Sequence, residues 1–136
     1  MKYALDSNII IRYLRGDINV VQNIDNALDN KNSLRIPKMV DYEIRRGFSI
    51  KPTPKKERGY RILIENCPVS HMDNASWELA IQIYTNLFKK GFTVGEMDIL
   101  IASFCLVHNC TLVTHNIKDF INIDKLKIVN WTQPFL

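Results

Sequence analysis

The sequence predicts an α/β domain: a mainly parallel central sheet of about five short strands, with helices on both faces. Three observations carry this. Strand-like runs of four residues recur along the chain: KYAL at 2–5, SLRI at 33–36, CPVS at 67–70, TLVT at 111–114 and KIVN at 127–130. The stretches between them place apolar residues at helical spacing and are long enough to carry the chain back to a parallel neighbour. The 136 residues, 46% of them hydrophobic and 24% charged, make one domain's worth of chain. A single domain over 1–136 buries roughly two thirds of its unfolded surface around one core.

The elements follow in order. After KYAL, the polar trio Asp6, Ser7 and Asn8 precedes a helix carrying Ile10, Ile11, Tyr13 and Leu14, which stops at Gly16. Asp6 or Ser7 caps it. Asp17 caps a second helix, with Val20, Val21, Ile24, Ala27 and Leu28 on one face. Pro37 fits the first position of a third, ending near Gly47 and Phe48. Pro52 and Pro54 mark a turn before a helix from about Lys55 to Asn66. Asp73 opens a long helix through Trp77, Ala80, Ile81, Tyr84, Leu87 and Phe88, which gives out near Gly91. A last helix runs from about Glu96 to His108.

Composition excludes several classes. No apolar run approaches the ~20 residues of a membrane helix. The start, one Lys and then a strand, is not that of a secretory signal. Cys67, Cys105 and Cys110 form no metal-binding pattern, and a reducing cytoplasm is the expected setting. The charge balance is mild, 18 basic against 14 acidic residues, but its distribution is uneven. Arg45, Arg46, Lys51, Lys55, Lys56, Arg58 and Arg61 are opposed only by Glu57. Such a stripe is either a phosphate-binding surface or the solvated side of a helical hairpin.

In open parallel α/β sheets, chemistry collects at the carboxyl ends of the strands. Asp6 ends the first strand. A cap needs one polar residue, and LDSN supplies three. Asp98 lies in the first turn of a helix that is apolar from Ile99 to Val107 except at Ser103, and is therefore buried. The macrodipole favours an acid there by only ~0.3–1 kcal/mol. Glu43, three residues after Val40, sits on or beside the apolar face of its helix, unless it serves as a surface partner of Arg46. Asn116 and Asp119 follow the fourth strand in THNIKDF, where they also suit an ordinary turn. Were Asp6, Glu43, Asp98 and Asp119 to converge, their mutual repulsion would call for a cation. Oxygen ligands alone favour Mg²⁺ or Mn²⁺, and such an ion suits phosphoryl chemistry.

With LDSN at 5–8, Glu43 after the second strand, DILIAS at 98–103, THNIKDF at 114–120 and LKIVNW at 126–131, the chain resembles the PIN-domain nucleases. The likeness is closest to the VapC-type toxins of bacterial toxin–antitoxin modules. The resemblance implies a PIN-like (Rossmann-like) α/β/α sandwich and an acidic metal site of Asp6, Glu43, Asp98 and Asp119, with Ser7, Asn8 and Asn116 as polar neighbours. It implies a Mg²⁺- or Mn²⁺-dependent endoribonuclease, often acting on transfer RNA and so blocking translation, whose products carry a 5′-phosphate and a 3′-hydroxyl. It also implies a homodimer, silenced by a VapB-like antitoxin that binds over a groove to which residues 37–66 contribute. Arg45, Arg46, Lys55, Lys56, Arg58 and Arg61 are then the expected contacts to RNA or antitoxin. His115 stands where many relatives have a second Asn, and Ser103 where Ala is frequent; the role of His115 is open.

Other readings make different demands. A haloacid-dehalogenase-type phosphotransferase wants a second Asp at position 8, which is Asn8. A receiver domain wants paired acids near its first strand, which are absent. A non-catalytic RNA-binding module would ignore Asp6→Asn. A PIN nuclease outside a toxin module, acting on ribosomal RNA or DNA, would lack a neighbouring antitoxin gene.

Overall fold

A computed structural model describes residues 1–134. The strands are β1 (Lys2–Leu5), β2 (Ser33–Pro37), β3 (Val69–Ser70), β4 (Thr111–Val113) and β5 (Ile128–Val129). They form one sheet in the order β3-β2-β1-β4-β5, with every pairing parallel. Tyr3 lies opposite Leu34 on one side and Thr111 on the other. Between the strands run α1 (Ser7–Leu14), α2 (Ile18–Asp29), α3 (Lys38–Ile50), α4 (Pro54–Asn66), α5 (Asn74–Lys89) and α6 (Glu96–His108). Ala4 and Leu5 point to opposite faces of the sheet, yet both are fully buried, so both faces are covered. None of the described helices is long and apolar enough to cross a membrane.

Local chemistry explains most boundaries. Asp6, rather than Ser7, caps α1: its carboxylate accepts from the Ser7 backbone N–H at 2.8 Å. Asp17 and Asp73 cap α2 and α5 in the same manner, each worth ~1 kcal/mol. Gly16 ends the α1 turn in the left-handed region at φ 81°, where a Cβ is strained. Pro37 closes β2 and stands just before α3 instead of inside it. That helix continues through Gly47 to Ile50, since one internal Gly costs only ~1 kcal/mol; Pro52 and Pro54 are what end it.

Two outer strands are shorter than expected. CPVS pairs only through Val69–Ser70 and KIVN only through Ile128–Val129. Each is an edge strand with a single neighbour, and Cys67 instead closes α4 by donating its N–H to the Leu63 carbonyl at 2.9 Å. On α5 the core face is Ser76, Ala80, Ile83 and Leu87. Trp77, Ile81, Tyr84 and Phe88 are exposed, because α6 covers only one side of the helix. The segment after β5 is pinned over α2. Asn23 Nδ2 donates to the Trp131 and Gln133 carbonyls at 3.1 and 3.0 Å, and Asn19 Nδ2 to the Thr132 carbonyl at 3.0 Å.

Candidate active site

The chain builds the sheet outward from β1 through β2 to β3, then returns to β1's other side with β4. The strand order therefore reverses between β1 and β4, the point at whose carboxyl ends sheets of this kind place their binding crevice. Asp6 stands at that point. Its N–H donates to the Val113 carbonyl at 2.9 Å, which extends the β1–β4 pairing by one residue and buries the carboxylate to 5% exposure.

A buried carboxylate needs donors. Asp6 Oδ1 accepts from Ser7 N–H, while Oδ2 accepts from the Thr114 hydroxyl at 2.8 Å and from Asn8 Nδ2 at 3.1 Å. Thr114 Oγ1 in turn accepts from Asn8 Nδ2 at 3.2 Å and from the Asn116 N–H at 3.1 Å. With both of those neighbours donating, the Thr114 hydroxyl proton has only Asp6 to go to. Asn8 Oδ1 accepts the His115 N–H at 2.9 Å. Asp6, Asn8, Thr114 and the backbone of 115–116 are thus one rigid unit joining the ends of β1 and β4. Thr114, fully buried, is the member that sequence reasoning missed. Its signal, a hydroxyl at the last position of a buried strand, is also that of an ordinary β-branched strand residue.

The other three carboxylates come from separate elements. Glu43 is half-buried in the second turn of α3, Asp98 is part-buried in the first turn of α6, and Asp119 is exposed in the 3-10 turn Ile117–Asp119 after β4. Their charges reach one another. Burial, followed by the charges of Asp6, Asp119 and Glu43, pushes the Asp98 carboxyl up to about 6. Burial and then Asp6 raise Glu43, while Arg46 and the Ser7 hydroxyl pull it back. Asp6 itself is raised by burial against the opposing pull of Thr114, Ser7 and Asn8, with Asp119 adding repulsion. Gly95, just before α6, leaves room for Asp98: a Cβ there would lie 3.4 Å from its Oδ2.

Electrical coupling is not yet a cage. Among the described residues, no three His, Cys, Asp or Glu side chains stand close enough to hold one ion together. The donor chemistry nonetheless fits Mg²⁺ or Mn²⁺. All the acids are hard oxygen donors, three of them are raised by burial and by one another, and Mg²⁺ keeps several waters so that one or two direct carboxylates suffice. Were such an ion bound, Asp6 and Asp98 would be the residues placed to hold it, with Glu43 and Asp119 beside them.

The basic stripe spreads over two clefts, which share Phe48, and the open side of α4. Arg45 and Arg61 line a cleft with Lys38, Asp41 and Tyr60. There the buried Asp41 accepts from Tyr60 Oη at 2.7 Å and pairs with Lys38 and Arg45 at 3.3 and 3.6 Å. Lys51 and Lys56 instead line a second cleft, floored by Leu14, Ile44 and Phe48 and bordered by Glu43. Arg46 lies over the Tyr42 ring, 5.2 Å from its centroid. Lys55 and Arg58 are exposed on α4.

The PIN-domain family model matches residues 3–126. The chain belongs to the PIN-domain family. Within that family it groups with VapC proteins. It is 32% identical to Ribonuclease VapC2 of Rickettsia felis, over 96% of this chain and 98% of that one. It is 29% identical to Ribonuclease VapC1 of Haemophilus influenzae, over 98% and 100%. A crystal structure of VapBC2 from Rickettsia felis bound to a DNA fragment from their promoter superposes with a TM-score of 0.89 at 28% identity, covering 96% of this chain and 99% of the other. VapBC-1 from nontypeable Haemophilus influenzae gives 0.86 at 26% identity, with 98% and 100% covered. The PIN-domain sandwich expected from the sequence is therefore the fold of the chain.

Proposed function

We propose that this PIN-domain chain is the endoribonuclease toxin of a VapBC-type module, hydrolysing RNA phosphodiester bonds and blocking translation, with transfer RNA as its substrate class. The observation that carries the reading is the set of four mutually repelling carboxylates at the strand-order reversal, in a chain like Ribonuclease VapC2 along nearly its whole length. Uncompensated, that set destabilises the fold, so it calls for a ligand of opposite charge. Bound Mg²⁺ or Mn²⁺ supplies Lewis acidity and water activation toward a phosphoryl group. Asp6, locked by Thr114 and Asn8, presents an oxygen that does not reorient. Asp98 presents a second from the mouth of α6. Glu43 and Asp119 flank them and hold water. The products carry a 5′-phosphate and a 3′-hydroxyl.

A VapB-like antitoxin fits the cleft of Leu14, Ile44, Phe48, Arg15, Lys51 and Lys56. An amphipathic segment with acidic residues matches that apolar floor and cationic rim, and it would sit beside Glu43 at the edge of the carboxylate cluster. The exposed stripe Trp77, Ile81, Tyr84 and Phe88 on α5 is the face for a homodimer, since contiguous exposed apolar surface marks association. The three cysteines are free and buried, in keeping with a cytoplasmic setting.

The test incubates purified protein with total RNA in Mg²⁺, Mn²⁺ or EDTA and sequences the new 5′ ends. Cleavage with either metal, loss in EDTA and loss in Asp6→Asn are expected. Undiminished cleavage in EDTA overturns the metal mechanism, and no cleavage under any condition overturns the nuclease reading.

A further inference from the structure

The hydrogen bonds around His115 locate its ring proton. Thr132 N–H donates to Asn130 Oδ1 at 3.0 Å, so the atom of Asn130 facing it is the carboxamide oxygen. The Thr132 hydroxyl lies 2.7 Å from that same oxygen and gives it its single proton. What Thr132 Oγ1 then offers His115 Nδ1, 3.3 Å away, is a lone pair. Nδ1 therefore carries the hydrogen, and in the neutral ring Nε2 is left as a bare acceptor.

His115 is held at its backbone and, through Thr132, at its ring. Its backbone N–H is held by Asn8 Oδ1 at 2.9 Å, and Asn8 Nδ2 is bonded to Asp6 at 3.1 Å. The 130–132 segment is held to α2 by Asn19 and Asn23. His115 is exposed, so its free ring nitrogen is open to a ligand, on a residue whose backbone is joined through Asn8 to Asp6.

We propose that His115 Nε2 is a ribose-recognition group, accepting a hydrogen bond from a 2′-hydroxyl of RNA laid across the cluster. This rests on the ribonuclease function proposed for the chain. An acceptor requires a donor, and the phosphodiester oxygens carry no hydrogen. In a nucleic-acid backbone the 2′-hydroxyl is the donor available at every nucleotide; it is present in RNA and missing from DNA. Base edges also donate, but their donors change with sequence. The four carboxylates are acceptors too, yet their place is beside a cation, whereas His115 reads the sugar without adding negative charge to the crevice.

The experiment uses a short RNA spanning a mapped cut site and a series carrying one 2′-deoxynucleotide at each flanking position. In the parent protein one deoxy position should lower kcat/KM by roughly three- to tenfold, the effect of one hydrogen bond. His115→Ala should lose a similar factor on intact RNA and be indifferent to that deoxy position. Thr132→Val, which releases the ring's orientation, should fall between the two. Thermal melting of each variant checks that the fold is kept. Deoxy penalties of equal size in His115→Ala and the parent, or a His115→Ala protein as active as the parent, overturn the proposal while leaving the nuclease intact. A parent that cuts no RNA overturns both.

Discussion

Replacing Asp98 by Asn should make the protein more stable and inactive at once. Burial and the charges of Asp6, Asp119 and Glu43 lift the Asp98 carboxyl from its ordinary 3.8 to about 6. A lift of that size corresponds to about 3 kcal/mol against the ionised form. The side chain is partly open to water, so screening reduces this to ~1–2 kcal/mol. Asn forfeits the favourable interaction of an acid with the first turn of α6, ~0.3–1 kcal/mol. A net gain of about 1 kcal/mol remains, or roughly 3–6 °C in Tm for a domain of this size. Its pH dependence has a definite sign. In the folded parent the protonated Asp98 is favoured, so its stabilising share is complete below pH ~4 and is lost as pH rises through about 6. The advantage of Asp98→Asn should therefore be present at pH 7.5 and absent near pH 4. Thermal melts in EDTA at the two pH values measure this, and adding Mn²⁺ should raise the Tm of the parent but not of the variant. An Asp98→Asn variant less stable than the parent at pH 7.5, or a gain that persists at pH 4, refutes the coupling of the four acids.

Thr114→Val keeps the shape of a fully buried side chain but removes the donor to Asp6 and the acceptor for Asn8 and Asn116. Hydrogen bonds to charged groups are worth ~1.5–3 kcal/mol, so urea unfolding at pH 7.5 should show a loss of that order, with cleavage abolished as well. Thr114→Ser should keep most of both, and a Val variant matching the parent would leave Asp6 without need of this hydroxyl. At the surface, Lys51→Gln with Lys56→Gln should flatten the salt dependence of RNA affinity, by roughly 0.7 in log–log slope for each phosphate no longer neutralised. Lys55→Gln with Arg58→Gln should change it less, and equal changes would mean that the stripe acts as one surface after all.

What was legible in the sequence was local. Asp17 and Asp73 announce helix starts, and the pair Asp6 and Ser7 a third, because a cap acts over two or three residues. The strand runs stand out because a buried parallel strand is short and apolar. Asp98 stands out because an acid heads a helix that is otherwise apolar. Even the region in which to look for a site followed, since chemistry in such sheets collects at the carboxyl ends of the strands. What the tertiary structure decided was everything that depends on which segments lie side by side. Thr114 became the anchor of Asp6 only because β4 lies beside β1, across 108 positions of chain. The stripe from Arg45 to Arg61 divided between two clefts because α3 and α4 present different sides, with Asp41 and Tyr60 buried between them. Trp77, Ile81, Tyr84 and Phe88 ended outside because α6 covers only the Ala80 and Leu87 face of α5. Helical spacing groups residues onto a face, but the side from which a neighbour arrives is set by packing between distant segments, and no single stretch of sequence contains it.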